Sequence, residues 1–287
     1  MTLVEAVVQG VLLGGQYALF AAGLSLMFGV MRIVNLAHGD VAVVAGYGAI
    51  VVVNVWVVSP VVALVVVVPV VAAAGFLLQR FVLQHTLGPP LPSLLVTFGL
   101  SIIVQNALLL GFSANERRIS MGRWDTASIH LGPLSIGVMP LAVFVLAVIA
   151  LLVLGRVISH TQYGRLVRAV SDDPETVQTT GVDPRTIYAV AAAIAFGLVA
   201  VAGIANGMRT SFSPTAGSLL LIFAFEVVII GGLGSLRGTL VGAVLLGVSQ
   251  TVGGIFFPTQ QVLIGHLVFL LVLVVRPQGL FRQGALA

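Results

Sequence analysis

The chain of 287 residues contains no cysteine, and its 13 basic residues are all arginine, so lysine is absent as well. Without cysteine there are no disulfides, no thiolate metal sites and no cysteine nucleophile, and the compartment stays open. Without lysine there is neither a Lys-dependent phosphate-binding loop nor a Schiff-base amine. If ATP is used, another chain must bind it. Charge is scarce too: Asp, Glu, Lys and Arg make up 8% of the chain, against roughly 25% in soluble domains. No basic cluster is interleaved with aromatics, which excludes a nucleic-acid surface. His38, His85, His130, His160 and His266 stand apart, with no partner at metal spacing, and no Gly-x-Ser-x-Gly occurs. The expectation is a chain that is not an enzyme, holds no metal and binds no cofactor itself.

What is present is apolar. Hydrophobic residues make up 59% of the chain and the mean hydropathy is +1.16. Runs long enough to cross a bilayer recur throughout. The reading is an all-α polytopic integral membrane protein with about nine spans (eight to ten). They lie near 4–30, 40–58, 60–79, 93–111, 135–157, 187–207, 217–232, 239–257 and 260–276. Strands are excluded from these runs because period-2 alternation is missing and open sheet edges do not survive in lipid. Residues 1–287 read as one domain, with a polar loop at about 158–187 and another, at about 112–134, long enough for a small external cap. The first 31 residues carry no positive charge, which predicts a retained first span rather than a cleaved leader. With the amino terminus outside, nine arginines fall in inner loops (32, 80, 156, 165, 168, 185, 237, 276 and 282) and four in outer ones (117, 118, 123 and 209). That bias predicts an outside amino terminus and a cytoplasmic carboxy terminus.

The polar loop His160–Arg185 is an island of charge, holding three of the 13 arginines and four of the nine acids. Asp172-Asp173-Pro174-Glu175 is a helix start: Asp caps free N–H groups, Pro fits the first turn, and Glu favours the positive dipole end. Asp172 and Glu175 have capping-box spacing, and Gly181 suits the left-handed residue that ends a helix. Asp183-Pro184 opens the next helix. The prediction is a helix of about two turns at 172–181, preceded by basic Arg165 and Arg168. Its bland alternative is a well-capped solvated connector.

Other polar residues carry two readings each. Arg32, Asn35, His38 and Asp40 fall where the first hydrophobic run breaks. They either form part of a translocation pathway, as broken helices at membrane depth do, or make a short inner turn with Asn35 and Asp40 capping helix ends. Glu226 is an acid deep inside a predicted span, so it either meets a substrate ammonium or an arginine, or is a paired or protonated structural carboxyl. Gly231, Gly232, Gly234, Gly238 and Gly242 predict a tight turn and close helix packing. Thr97, Gln105 and Asn106 either line a pore or bond between helices.

Tyr163-Gly-Arg-Leu-Val-Arg-Ala-Val-Ser-Asp-Asp-Pro174, with Gly181 following, resembles the cytoplasmic coupling loop of ABC-importer permeases, specifically the branched-chain amino acid (LivH-type) group. Gly23-Leu-Ser-Leu-Met-Phe-Gly-Val-Met-Arg-Ile-Val-Asn-Leu-Ala-His-Gly39 is similar to that group's amino-terminal signature. Phe225-Glu-Val-Val-Ile-Ile-Gly-Gly-Leu-Gly-Ser-Leu-Arg-Gly-Thr-Leu-Val-Gly242 is similar to its glycine-rich carboxy-terminal signature, and Arg276-Pro-Gln-Gly-Leu-Phe281 also fits. The importer loop's Glu-Ala-Ala core is replaced here by Thr176-Val-Gln-Thr-Thr180, so the resemblance assigns the helix rather than its contact side chains.

The resemblance implies a multi-pass permease of a bacterial or archaeal plasma membrane. It implies two cytoplasmic ABC ATPase subunits that use ATP and magnesium, a second permease subunit (LivM-like) or a second copy, and an external or periplasmic substrate-binding protein. Arg165, Arg168, Asp172, Asp173, Pro174, Glu175 and Gly181 would belong to ATPase coupling, and Asn35, His38 and Glu226 to the pathway. The implied cargo is a branched-chain or other hydrophobic amino acid; urea or short amides are the alternative within the family. A stand-alone secondary transporter would need more intramembrane acids than Glu226, and an intramembrane enzyme would need a catalytic cluster.

Overall fold

The structure, a computed structural model, describes residues 2–281 apart from 57, 89 and 133. Arg282, counted above among the inner arginines, and Pro89 of the turn at 88–92 lie outside the described residues, as does the side chain of Arg123.

The apolar runs fold as helices because lipid offers the backbone no partner, so each segment must satisfy its own N–H and C=O groups. In chain order the helices are α1 (Leu3–Met31), α2 (His38–Trp56), α3 (Pro60–Phe81), α4 (Pro90–Phe112), α5 (Val138–His160), α6 (Gln162–Asp172), α7 (Pro174–Thr179), α8 (Pro184–Arg209), α9 (Gly217–Gly231), α10 (Leu236–Phe256) and α11 (Gln261–Val275). Every one of the nine expected spans is a helix. Eight are long and apolar enough to cross a membrane, counting α11 together with the 3₁₀ turn Pro258–Gln260 before it. The other, α9, has 15 residues and rises only about 22 Å, short of a ~30 Å hydrocarbon core.

The fifth span begins later than the hydropathy suggested. Ser128–Leu131 and Leu134–Gly137 form a two-stranded antiparallel hairpin, β1–β2, with Ser128 opposite Gly137 and Leu131 opposite Leu134. Residues 134–137 are apolar enough to extend α5, but their backbone groups pair across the hairpin instead, and α5 starts at Val138. The polar segment between α4 and α5 therefore runs to 137 rather than 134. It is tied to the chain before α9: Arg117 and Phe212 exchange two backbone hydrogen bonds (3.1 and 3.0 Å), and the Ile119 N–H donates to Gly207 O (2.8 Å).

The core is one continuous cluster built around α1. α1 and α8 are buried along most of their length, whereas α3, α4, α5 and α11 keep broad apolar faces uncovered. Outward-facing residues such as Leu110 and Val274, 89% and 81% exposed, suit lipid, which is as apolar as they are. Small residues let the central helices touch. A Cβ on Gly14 of α1 would lie 2.7 Å from Ala243 O of α10, and one on Gly247 of α10 would lie 2.3 Å from Gly10 O of α1.

The break after α1 goes into the bundle instead of forming a surface turn. Arg32 takes a left-handed conformation (φ 55°), ends α1 and is exposed. The chain then returns along α1. Asn35 Nδ2 lies 4.0 Å from Met27 Sδ, and His38, the first residue of α2, reaches Phe20 O with Nε2 at 3.1 Å. Phe20 is 11 residues, about three turns, back from the end of α1. So α2 starts at the level of mid-helix residues, and α9 starts beside it: a Cβ on Gly39 would fall 1.9 Å from Gly217 O.

Candidate translocation pathway and coupling helices

The connector between α5 and α8 is two helices rather than one. Thr161 caps α6 by accepting the Gly164 N–H at 3.0 Å. One face of α6, with Gly164, Val167 and Val170, is buried against the bundle. The Ser171 hydroxyl donates to Gly29 O at 2.8 Å, tying α6 to the last turns of α1, and Tyr163 donates to Ile187 O at 3.2 Å. Burial around Tyr163 raises its phenol above the ordinary value. Arg168 is half-buried and donates to Ile158 O, while Arg165 is exposed. The two arginines therefore do different things: Arg168 holds α6 to the end of α5, and Arg165 faces out.

The cap of the next helix is Asp173, not Asp172. Asp172 is the last residue of α6, and α7 spans only Pro174–Thr179. Asp173 accepts the N–H groups of Glu175 and Thr176, both at 3.1 Å, and the Thr176 hydroxyl at 2.5 Å. The box expected between Asp172 and Glu175 does not form, because α6 carries helical geometry through Asp172 and the extended residue that a cap requires comes one position later. Thr176 holds the Asp173 carboxyl below its ordinary pKa through its hydroxyl and its N–H. No side chain of α7 is fully buried, and Glu175 is exposed. Gly181 (φ +85°) turns the chain out of the helix. Asp183 then caps α8, accepting the Arg185 N–H and the Thr186 hydroxyl, and pairs with Arg80 of α3 at 2.9 Å. Burial alone would raise the Asp183 carboxyl, but Thr186, Arg80 and the Arg185 N–H together hold it below its ordinary value.

At the break, Asn35, His38 and Asp40 are almost wholly buried. Asn35 Oδ1 accepts the Ala37 N–H at 3.0 Å, and Leu36 N donates to Thr97 Oγ1 of α4 at 3.1 Å. Asp40 does not cap its helix as the inner-turn reading supposed. Its Oδ1 accepts from Gln105 Nε2 of α4 at 3.0 Å, because α4 crosses beside the start of α2. Asn106, next to Gln105, bonds within its own helix, to Ile102 O at 2.8 Å.

Glu226 of α9 is buried and paired with His266 of α11 through Oε1 and Nδ1. The expected arginine partner is a histidine, from a residue the sequence shows as isolated. Forty positions separate the two, so no local spacing could reveal them. Phe223, one turn before Glu226, stacks on His266 (6.1 Å) and lies 4.9 Å from the Tyr17 ring of α1. Tyr17 in turn donates to Gln250 Oε1 of α10 at 2.7 Å.

On the hairpin side of Tyr17 and Phe223 opens a cavity of about 520 Å³, walled by α1, the end of α8, residues 210–216 and the start of α9. Arg209, Gln16 and Asn206 line it as a chain in which Arg209 donates to Gln16 Oε1 and Gln16 Nε2 donates to Asn206 Oδ1. Sequence reasoning missed this group. The available signal was an amide side chain well inside each of two long apolar runs, Gln16 in α1 and Asn206 in α8.

The glycine-rich segment closes α9 against α10. A Cβ on Gly238 would lie 2.1 Å from Gly231 O, and one on Gly231 would lie 2.3 Å from Gly238 O. Gly232 (φ +101°) and Gly234 (φ +80°) make the turn, and Gly242 packs on Val227 O. The segment after α11 docks here too. Leu280 N donates to Ile230 O (2.8 Å) and Phe281 N to Gly231 O (3.1 Å), so two of the family-like stretches meet in space.

Comparison with known proteins matches these features to one family. The family model for the branched-chain amino acid transport system permease component covers residues 6–275. The chain belongs to this family. The permease is 28% identical over 293 residues to the high-affinity branched-chain amino acid transport system permease protein BraD of Pseudomonas aeruginosa, covering 97% of this chain and 95% of that one. It is 24% identical to LivH of Escherichia coli K12 over 289 residues (96% and 94%). Similarity extends to LivM of the same strain, 27% over 298 residues (92% and 67%). The permease is thus the membrane-embedded transport component of an importer, a multi-pass protein of the bacterial or archaeal plasma membrane.

Proposed function

We propose that the permease moves branched-chain or other hydrophobic amino acids inward, receiving them from an external binding protein and driven by two ATPase subunits. Those subunits use ATP and magnesium; this chain contributes no cofactor. A second permease subunit, LivM-like or a second copy, completes the pathway. Residues 1–287 act as one transmembrane unit, with the amino terminus outside and α6–α7 on the cytoplasmic side, as the arginine bias favours.

The observation that carries this reading is the geometry of α6 and α7 within a member of the importer family. α6 is fixed to the bundle by Ser171, Tyr163 and Arg168, while α7 is capped and stands out with its surface uncovered. A load applied to α7 is therefore passed to α1, α5 and α8. ATPase closure would move α7, and the bundles would rock around the central path. Asp173, Pro174, Glu175 and Gly181 shape the docking helix, Arg165 faces the partner, and Arg168 and Asp172 belong to the lever behind it. Asn35 and His38 sit at the mid-depth break and Glu226 beneath the cavity, along the same central path.

The test is co-purification of the permease with its ATPase. Deleting residues 172–181 should abolish the association while leaving the membrane domain monodisperse. An intact complex after the deletion would remove the docking assignment. Uptake by the reconstituted importer of leucine rather than urea or acetamide tests the cargo.

A further inference from the structure

Arg209 is the last residue of α8, and it borders the 520 Å³ cavity together with Gln16 and Asn206. Its guanidinium has five N–H donors and donates to Gln16 Oε1. Among the described residues no carboxylate forms an ion pair with it. Glu116, at the cavity mouth, accepts from Ser211 at 2.7 Å instead. Glu5 and Asp125 border an adjoining cavity that Arg209 also touches; Asp125 is paired with Arg118, and Glu5 caps α1. A half-buried cation without a counter-ion is costly in low dielectric, which points to an anion supplied from elsewhere. The rest of the wall supplies the other half of a recognition site: Leu13, Leu219, Leu220 and Phe223 are apolar, and the volume falls in the ~300–1,000 Å³ range of small-ligand sites.

We propose that this cavity is a substrate station for a zwitterionic amino acid, with Arg209 binding its carboxylate. The apolar side chain lies against Leu219, Leu220 and Phe223, and the ammonium faces Glu116. Gln16 and Asn206 orient the guanidinium. The Tyr17–Phe223 pair forms the floor between this station and the Glu226–His266 pair beneath. Neutral urea or a short amide would leave Arg209 without a counter-ion, so the site selects within the family's cargo classes. The inference rests on the importer reading above and deepens it.

The absence of cysteine gives a direct assay. Thr215→Cys places a single thiol on the cavity wall. Millimolar leucine should slow its modification by a small methanethiosulfonate in the assembled importer, and urea should not. Adding Arg209→Gln should raise the protecting leucine concentration about 10- to 100-fold, the loss expected for a hydrogen bond to a charged group, and Arg209→Lys should cost less. ATPase activity stimulated by the binding protein, measured alongside, reports whether the Arg209 variants remain assembled. If Arg209→Gln does not assemble, the leucine-against-urea comparison in Thr215→Cys alone decides. Equal protection by urea, no protection by leucine, or an unchanged concentration dependence in Arg209→Gln would each overturn the proposal. Those outcomes alongside intact leucine uptake would leave the importer reading standing. Uptake of urea but not leucine by the unsubstituted importer would instead overturn the cargo assignment.

Discussion

Gly238→Ala is expected to be among the most damaging single-methyl changes in this protein. The added Cβ would sit 2.1 Å from Gly231 O, 2.7 Å from Gly231 C and 3.1 Å from Gly231 Cα. All three are backbone atoms of α9, so no side chain can rotate away. Restoring an ordinary separation needs about 1 Å of movement between α9 and α10. Neither helix is free to move: α10 touches α1 through Gly247 and Gly10, and the carboxy-terminal segment is hydrogen-bonded to Ile230 and Gly231. Overpacking of this kind costs about 1–3 kcal/mol, and contact with backbone places it toward the upper end. Alanine's better helix propensity returns at most about 1 kcal/mol, leaving a net loss on the order of 1–2 kcal/mol. Gly111→Ala on α4 is the control, because nothing lies within 4 Å of its Cβ position and only the propensity gain applies. Thermal unfolding of the detergent-purified protein, followed by size-exclusion fluorescence, should show a Tm lowered by several degrees for Gly238→Ala and unchanged or raised for Gly111→Ala. Equal shifts of the same sign would refute the argument that backbone approach, rather than helix propensity, governs these glycines.

Other expectations are briefer. Asp173 and Asp183 have pKa values below the ordinary 3.8 in the folded protein, so the stability they give the connector is fully present above that value and is lost as pH falls through the lowered ones. Hydrogen exchange across 174–186 should therefore stay protected at pH 5 and rise only below about 3.8; loss of protection between pH 7 and 5 would contradict the cap assignments. Glu226→Ala and His266→Ala should each lower thermal stability, with the double variant losing less than the sum by about 0.6 kcal/mol, the average for hydrogen bonds between membrane helices, and at most about 1.7 kcal/mol. Strict additivity would break the pairing. Unchanged uptake in Glu226→Gln would show that the pair is structural and that its charge is not needed.

Much of the fold is legible because lipid imposes a simple rule on sequence: an apolar run must become a helix. All nine apolar runs become helices by it, eight of them long enough to cross, and the caps at Asp183 and Gly181 are legible too, since they depend on residues within a few positions of each other. The exceptions share a cause. Asp172 and Asp173 are chemically equal candidates, and only the packing of α6 on the bundle, which keeps Asp172 helical, decides between them. α5 starts later than hydropathy alone predicts because Leu134–Gly137 pairs with β1, a partner the hydropathy of the segment cannot register.

The sequence by itself determined the solvent, the helices and the family, since composition, run length and short motifs are local properties. Only the tertiary structure decided where the polar residues meet. His266 reaches Glu226 from forty positions away, Gln16 and Arg209 meet from 193, and the return of residues 32–37 into the bundle starts α2 and α9 side by side, level with the middle of α1. The two side-chain pairs exist because a buried polar group needs a partner and takes the one that helix packing brings within reach.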